Sequence, residues 1–223
     1  MNGIVNSTLL FCALTIAISE ARAEHTMAID PSNSAAARAW QASYGAEAAG
    51  NYDAAFKALD QLPVAQRQGY MANYRRGWLQ YCLGHYAESV AAYYSAIGVE
   101  PETVEARVAQ LLPLLALGKW PELIEAAQAV LKRDSQNLLA LQRMAYAQYK
   151  MQHYAEAEQT YQRVVRLYPS DLEMRAALGW AVLRMGKQPE AAELFRAVLE
   201  LSPKHASASS GLQAATARSV SAY

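Results

Sequence analysis

The stretch Gly84-His85-Tyr86-Ala87-Glu88-Ser89 returns in altered form at a constant spacing along the chain. Thirty-four residues earlier the chain reads Gly50-Asn51-Tyr52-Asp53-Ala54-Ala55, and thirty-four residues later it reads Gly118-Lys119-Trp120-Pro121-Glu122-Leu123. Two further copies begin at Gln152 and Gly186, with no insertion or deletion between copies. A period of this length with a turn glycine is typical of stacked helix-turn-helix units. We therefore predict an array of five such repeats.

The second helix of each repeat is recognised by three positions that fall on one helical face. With the turn residue at repeat position 15, the usually small position 20 holds Ala55, Ser89, Leu123, Ala157 and Ala191. The usually bulky position 24 holds Leu59, Tyr93, Ala127, Tyr161 and Phe195. Position 27 holds Leu62, Ala96, Val130, Val164 and Val198. Spacings of four and three bring these side chains together on a helix, so they predict the core.

These residues resemble the tetratricopeptide repeat family. The resemblance covers residues 36–205 and implies an all-α, right-handed α-solenoid of five 34-residue repeats, here 36–69, 70–103, 104–137, 138–171 and 172–205. We expect residues 24–35 to form a lead-in and residues 206–223 to form a capping helix followed by a loose tail. Pro63 predicts that the second helix of repeat 1 ends early, near Leu62.

Repeats 2 and 3 depart from the family pattern. Position 7, usually apolar in the family, is Arg76 in repeat 2 and Gln110 in repeat 3. Their first helices are therefore candidates for a rotation or a one-residue shift.

Composition excludes some functions. The chain has 223 residues, of which 53% are hydrophobic, and Lys plus Arg and Asp plus Glu each number 20. A protein that neutralises several phosphates normally shows a basic excess, so we expect no nucleic-acid partner.

The first 23 residues differ from the rest of the chain. An apolar run from Leu9 to Ile18 is followed by Ala21-Arg22-Ala23, which is typical of a secretory signal cleaved after Ala23. The run is too short to span a bilayer. We therefore expect a bacterial protein exported to the periplasm, or secreted, with no transmembrane segment after cleavage. The alternatives are that this stretch is a buried N-terminal helix, or that the protein is cytoplasmic and starts at Met27.

Large apolar residues, most of them aromatic, recur on the face of the first helices that lines the concave groove in the resembled family. We call this predicted set the groove residues: Trp40, Tyr44, Tyr74, Trp78, Tyr81, Leu112, Tyr146, Tyr149 and Trp180. Charged residues on the same face are few and include Lys150, Glu173 and Arg184. An exposed run of large apolar side chains usually marks an interaction surface, but the same rings could serve packing between helices.

The sequence leads to a non-enzymatic scaffold as the first hypothesis. It would bind a peptide or a partner helix in the groove, during envelope assembly, secretion or surface-polymer export. A glycan-binding module that stacks sugars on the groove residues is the alternative. His85 and His153 lie two repeats apart, too far to share a metal ion, and no nucleophile or phosphate-binding motif is present. We therefore expect no enzymatic activity, no metal site and no cofactor.

Overall fold

A computed structural model describes residues 34–217, and helices account for 79% of them. The helices are α1 (Ala35–Ala48), α2 (Tyr52–Ala58), α3 (Val64–Arg67), α4 (Tyr70–Cys82), α5 (Tyr86–Val99), α6 (Glu105–Ala116), α7 (Trp120–Leu131), α8 (Leu138–Lys150), α9 (Tyr154–Leu167), α10 (Leu172–Arg184), α11 (Gln188–Leu201) and α12 (Ala206–Ala217). No strand occurs in this part of the chain. The all-α prediction is confirmed.

The chain divides into two compact units, one ending at Arg67 and the other beginning at Gln68. The first contains the helix pair α1–α2, a 3-10 turn (Leu59–Gln61) and the short α3. Leu62 adopts an extended conformation before Pro63, so the second helix of repeat 1 ends where the proline predicted. The second unit contains four helix pairs, α4–α5 to α10–α11, followed by α12, and each helix packs against the next in the chain. Within this unit the array is an α-solenoid with a C-terminal capping helix.

The five interhelical turns share one hydrogen-bond pattern. In each, the turn residue adopts a left-handed backbone, and the next N–H donates to a carbonyl five residues back, as His85 does to Gln80 at 2.9 Å. This is the Schellman arrangement, which favours glycine because a side chain is strained at positive φ. Gln152 holds the same conformation at φ 64° without being glycine. The fixed spacing of the sequence therefore reflects five equivalent helix ends.

Volume-matched pairs fill the core of each helix pair. A small residue at position 8 faces a large one at position 24 in repeats 2 and 5: a Cβ on Gly77 would lie 2.7 Å from the ring of Tyr93, and one on Gly179 would lie 2.7 Å from the ring of Phe195. Repeat 3 reverses the sizes, with buried Leu111 and Ala127 at the same positions. Because Gly77 and Gly179 make equivalent contacts, the first helix of repeat 2 is not rotated.

The non-family residues at position 7 are accommodated without a shift of the helices. Gln110 is buried at 2% exposure, and its amide nitrogen has no hydrogen-bond partner within the described residues. Arg76 is half-buried and lies 3.5 Å from the side-chain oxygen of Asn73. The first helices of repeats 2 and 3 therefore keep the family register at the cost of one buried polar group.

The capping helix α12 completes the last core. The ring of Phe195 lies so close to Gly211 of α12 that a Cβ at this position would meet it at 2.3 Å. Ala208 and Ala215 of the same helix are buried. Small residues therefore let α12 cover the end of repeat 5, as a terminal cap must. The predicted tail after residue 217, like the predicted signal peptide, lies outside the described residues.

Candidate functional site

A pocket opens in the second unit among the first helices of repeats 3, 4 and 5 and the capping helix. Its volume is about 540 Å³, within the range of roughly 300–1,000 Å³ typical of ligand sites. We call it the 4–5 pocket, because most of its lining comes from α8 of repeat 4 and α10 of repeat 5. The lining residues are Leu115, Gln142, Arg143, Tyr146, Tyr149, Tyr161, Glu173, Met174, Ala177, Trp180, Arg184 and Ser207.

Side-chain caps fix the starts of the two helices that form its walls. Asn137 accepts a hydrogen bond from the backbone of Ala140 at 3.0 Å, and Asp171 accepts one from the backbone of Met174 at 3.1 Å. Such caps satisfy N–H groups that lack partners within the helix. Asp171 also accepts a hydrogen bond from Gln142 at 2.9 Å, which ties α10 to α8. These hydrogen bonds therefore fix the N-terminal ends of both walls through contacts within the chain itself.

Three of the predicted groove residues meet in this pocket: Tyr146, Tyr149 and Trp180. Tyr146 is 41% exposed, and the other two are half-buried. The indole nitrogen of Trp180 donates to the hydroxyl of Ser207 at 3.0 Å, and its ring meets Phe195 edge-on with a centroid distance of 5.5 Å. The hydroxyl of Tyr149 accepts a hydrogen bond from Arg184 Nε at 3.2 Å. These contacts hold the rings of Tyr149 and Trp180 in place.

The base of the pocket is apolar. Tyr161 of α9 is only 3% exposed, and burial raises the pKa of its hydroxyl above the ordinary value, so it remains neutral. Met174 and Ala177 of α10 and Leu115 of α6 complete this surface. A flexible thioether beside rigid rings adapts to ligands of different shape. This combination suits a bulky apolar group.

Charged side chains also line the pocket. Arg143 Nη1 donates to the backbone carbonyl of Val108 at 3.2 Å, and burial lowers the pKa of Arg143. The hydrogen bond to Tyr149 raises the pKa of Arg184. An arginine side chain is not deprotonated in proteins, so both guanidinium groups are charged. Glu173 Oε1 lies 3.2 Å from His205 Nε2.

The remaining groove residues of the second unit lie elsewhere. Trp78 stacks on Tyr81 at a centroid distance of 6.0 Å, and Tyr81 in turn contacts Tyr86 at 5.4 Å. Tyr74 packs edge-on against the buried Tyr93 at 5.6 Å. Leu112 is half-buried and is not among the pocket-lining residues. The three ring contacts all lie within repeat 2.

The first unit carries the other two groove residues. Trp40 and Tyr44 of α1 stack at a centroid distance of 6.3 Å, and Tyr44 is 50% exposed. This pair is a small aromatic surface of the first unit. The nine predicted residues are therefore distributed over several clusters.

Three pocket residues were not among the predicted site residues: Arg143, Met174 and Ala177. Each lies at position 3 or 6 of a first helix, whereas the predicted groove face was read from positions 5, 9 and 12. Position 6 varies strongly between repeats, from Arg143 in repeat 4 to Ala177 in repeat 5. This variation at position 6 could have indicated the pocket, because a small residue beside two rings leaves room for a ligand.

Residues 34–217 contain no cluster of His, Cys, Asp and Glu side chains suited to a metal ion. No helix in the same range has the length and apolarity needed to cross a membrane.

Comparison with known proteins identifies the family. No curated protein matches the chain. Among solved structures, a crystal structure of MamA protein matches with a TM-score of 0.69 and 16% identity, covering 75% of this chain and 92% of that one. MamA from Desulfovibrio magneticus RS-1 (residues 41 to the end) matches with a TM-score of 0.69 and 19% identity, covering 75% and 95%. At these identities the likeness concerns the fold alone.

A family model described as tetratricopeptide repeat matches residues 74–137 and 143–206, which together make up more than half of the chain. The matched segments follow the helix pairs, turns and volume-matched contacts of the second unit. The chain belongs to the tetratricopeptide repeat family.

Proposed function

We propose that this protein is a non-enzymatic scaffold that binds a peptide segment of a partner protein in the 4–5 pocket. Tetratricopeptide repeat proteins are protein-interaction scaffolds, which supports a protein partner. The observation that carries the proposal is the pocket itself: an apolar base of Tyr161, Met174 and Ala177 beside the 41% exposed ring of Tyr146. Exposed aromatic side chains in a preformed concavity favour anchoring of an apolar side chain.

A peptide fits this pocket better than a glycan does. Sugar binding needs polar atoms that are free to bond hydroxyl groups as well as rings for stacking. Here the hydroxyl of Tyr149 is engaged with Arg184, and the indole nitrogen of Trp180 is engaged with Ser207. The rings offer apolar contact, while two of their polar atoms already have partners. Glycan binding is therefore the second candidate.

Selection of peptides from a random display library on the full chain tests the proposal. Tyr146→Ala should weaken a selected peptide by about 30-fold, which corresponds to about 2 kcal/mol and is the threshold of an interface hot spot. Tyr94→Ala is the matched control, because Tyr94 is a 55% exposed tyrosine on α5, outside the pocket. Peptides that bind equally to both variants would contradict the proposal. A glycan array hit that depends on Tyr146 would favour the second candidate.

We further propose that the scaffold acts in the bacterial envelope, in assembly, secretion or surface-polymer export, after removal of residues 1–23. The support is the Ala21-Arg22-Ala23 pattern after an apolar run. N-terminal sequencing of the protein from fractionated cells tests this. A chain beginning at Glu24 in the periplasmic or secreted fraction is expected, whereas a cytoplasmic chain beginning at Met27 would contradict it.

A further inference from the structure

Two guanidinium groups line the 4–5 pocket without an anionic partner in the described part of the chain. Arg143 is hydrogen-bonded to a backbone carbonyl, and Arg184 is hydrogen-bonded to a phenol. Within residues 34–217 no carboxylate forms an ion pair with either of them. The one carboxylate that lines the pocket, Glu173, lies beside His205 instead. The pocket therefore contains excess positive charge.

This arrangement has an energetic cost that an anion would offset. Burial lowers the pKa of Arg143, which means that its surroundings disfavour the charged form. A neutral oxygen compensates a guanidinium less well than a carboxylate, because charge-assisted hydrogen bonds are about twice as strong. Lys150 adds positive charge near the pocket, with its ammonium 5.9 Å from the centre of the Tyr146 ring. The field at the pocket favours an acidic ligand.

The two guanidinium groups mark separate points. The guanidinium of Arg143 contacts Val108, which is position 5 of repeat 3. The guanidinium of Arg184 contacts Tyr149, which is position 12 of repeat 4. The first helices of successive repeats run in the same direction, so seven positions correspond to about 10 Å along the helix axis. One carboxylate cannot contact both. An extended peptide rises about 3.3 Å per residue, so about three residues span the separation.

We infer that the partner segment is an extended peptide with two acidic side chains about three or four residues apart and a bulky apolar side chain between them. This inference rests on the proposed function. The carboxylates pair with Arg143 and Arg184, and the apolar side chain enters between Tyr146 and Trp180 above Tyr161 and Met174. The acidic pair determines which peptides bind, and the apolar residue supplies the anchor.

The experiment compares a library-selected peptide with its amide analogue. Both are labelled with fluorescein and titrated with the full chain, and fluorescence anisotropy gives Kd. Replacing each Asp or Glu of the peptide by Asn or Gln should weaken binding about tenfold per carboxylate, the loss expected for a charge-assisted contact. In the double variant Arg143→Gln/Arg184→Gln, the acidic peptide and its amide analogue should bind alike.

Arg166→Gln is the matched control, because Arg166 is an exposed arginine of α9 outside the pocket. It removes one positive charge and should preserve the preference for the acidic peptide. Selected peptides that lack acidic pairs, or amide analogues that bind as tightly as the acidic originals, would overturn the inference. If those peptides still lost affinity with Tyr146→Ala, the proposed function would stand. A library that yields no peptide sensitive to Tyr146→Ala would overturn both.

Discussion

The junction of repeats 3 and 4 and the junction of repeats 4 and 5 are built from equivalent helices, but they treat the concave face differently. At the first junction, position 6 is Arg143, whose side chain crosses to α6 and bonds the carbonyl of Val108. At the second, position 6 is Ala177, which ends at Cβ and lines the pocket. The same repeat geometry thus gives a bridged surface in one place and a ligand-sized opening in the next. The length of the side chain at position 6 is one difference between the two junctions.

The wall contributed by repeat 5 also has a large buried ring behind it, a feature that repeat 4 shares through Tyr161 and that repeat 3 lacks. Trp180 forms one wall of the pocket and contacts Phe195, whose ring is enclosed by Gly179 and Gly211. In repeat 3 the residue equivalent to Phe195 is Ala127, and the bulk lies instead at Leu111. The wall at repeat 5 therefore rests on a large buried ring. The following predictions test this contrast.

The largest effect is expected for Phe195→Ala. The side chain is fully buried and lies against Gly179 and Gly211, which have no side chains, so the free energy of unfolding should fall by about 3–5 kcal/mol. Urea denaturation followed by circular dichroism measures the loss. A decrease below about 1 kcal/mol would show that the cap does not depend on this ring.

A smaller effect is expected for Trp180→Ala than for Phe195→Ala. Trp180 is half-buried, touches Phe195 and donates a hydrogen bond to Ser207, so truncation should cost about 2 kcal/mol of stability. Tyr146→Ala is the matched comparison in the other wall and should cost less than about 1 kcal/mol, because its ring is 41% exposed. Equal losses for the two variants would contradict the view that Trp180 packs against the core and Tyr146 does not.

The smallest effect is a gain in stability. Gln152 ends the first helix of repeat 4 with a positive φ that the other four interhelical turns assign to glycine. Gln152→Gly should relieve this strain and raise the free energy of unfolding by about 0.5–1 kcal/mol, after allowance for the greater freedom of glycine in the unfolded chain. Thermal melting compares it with the reverse change, Gly186→Gln, which should destabilise by a similar amount. A destabilised Gln152→Gly protein would mean that the glutamine side chain makes a compensating contact.

The sequence predicted the repeats well because each turn is determined locally. Four of the five first helices end at a glycine that adopts the left-handed conformation without contacts to distant residues: Gly50, Gly84, Gly118 and Gly186. Even Gln152 was placed correctly, because the spacing on both sides constrained it. The volume-matched pair of Gly179 and Phe195 could also have been found, since both residues lie in one repeat.

The pocket was harder to predict because it depends on neighbours in different repeats. Tyr146, Tyr149 and Trp180 were identified from their recurrence at two helix positions. Whether these rings face an opening depends on Ala177 of the adjacent helix. The pattern of residues within a single repeat contains no information about a neighbour in another repeat. Tyr74 occupies a predicted groove position, but its ring packs against Tyr93 of the same repeat. Gly77 has no side chain, which lets the ring of Tyr93 lie against the helix that carries Tyr74.

The central claim is that the space left by Ala177 is a binding site, and filling it tests this most directly. Ala177→Leu adds three carbon atoms inside the pocket, and Ala155→Leu adds the same bulk at an exposed position of α9. Isothermal titration of both variants with a peptide selected on the full chain should show binding more than about tenfold weaker for Ala177→Leu and unchanged for Ala155→Leu, with similar melting temperatures. An Ala177→Leu protein that is folded and binds the peptide as tightly as the wild type would contradict the account.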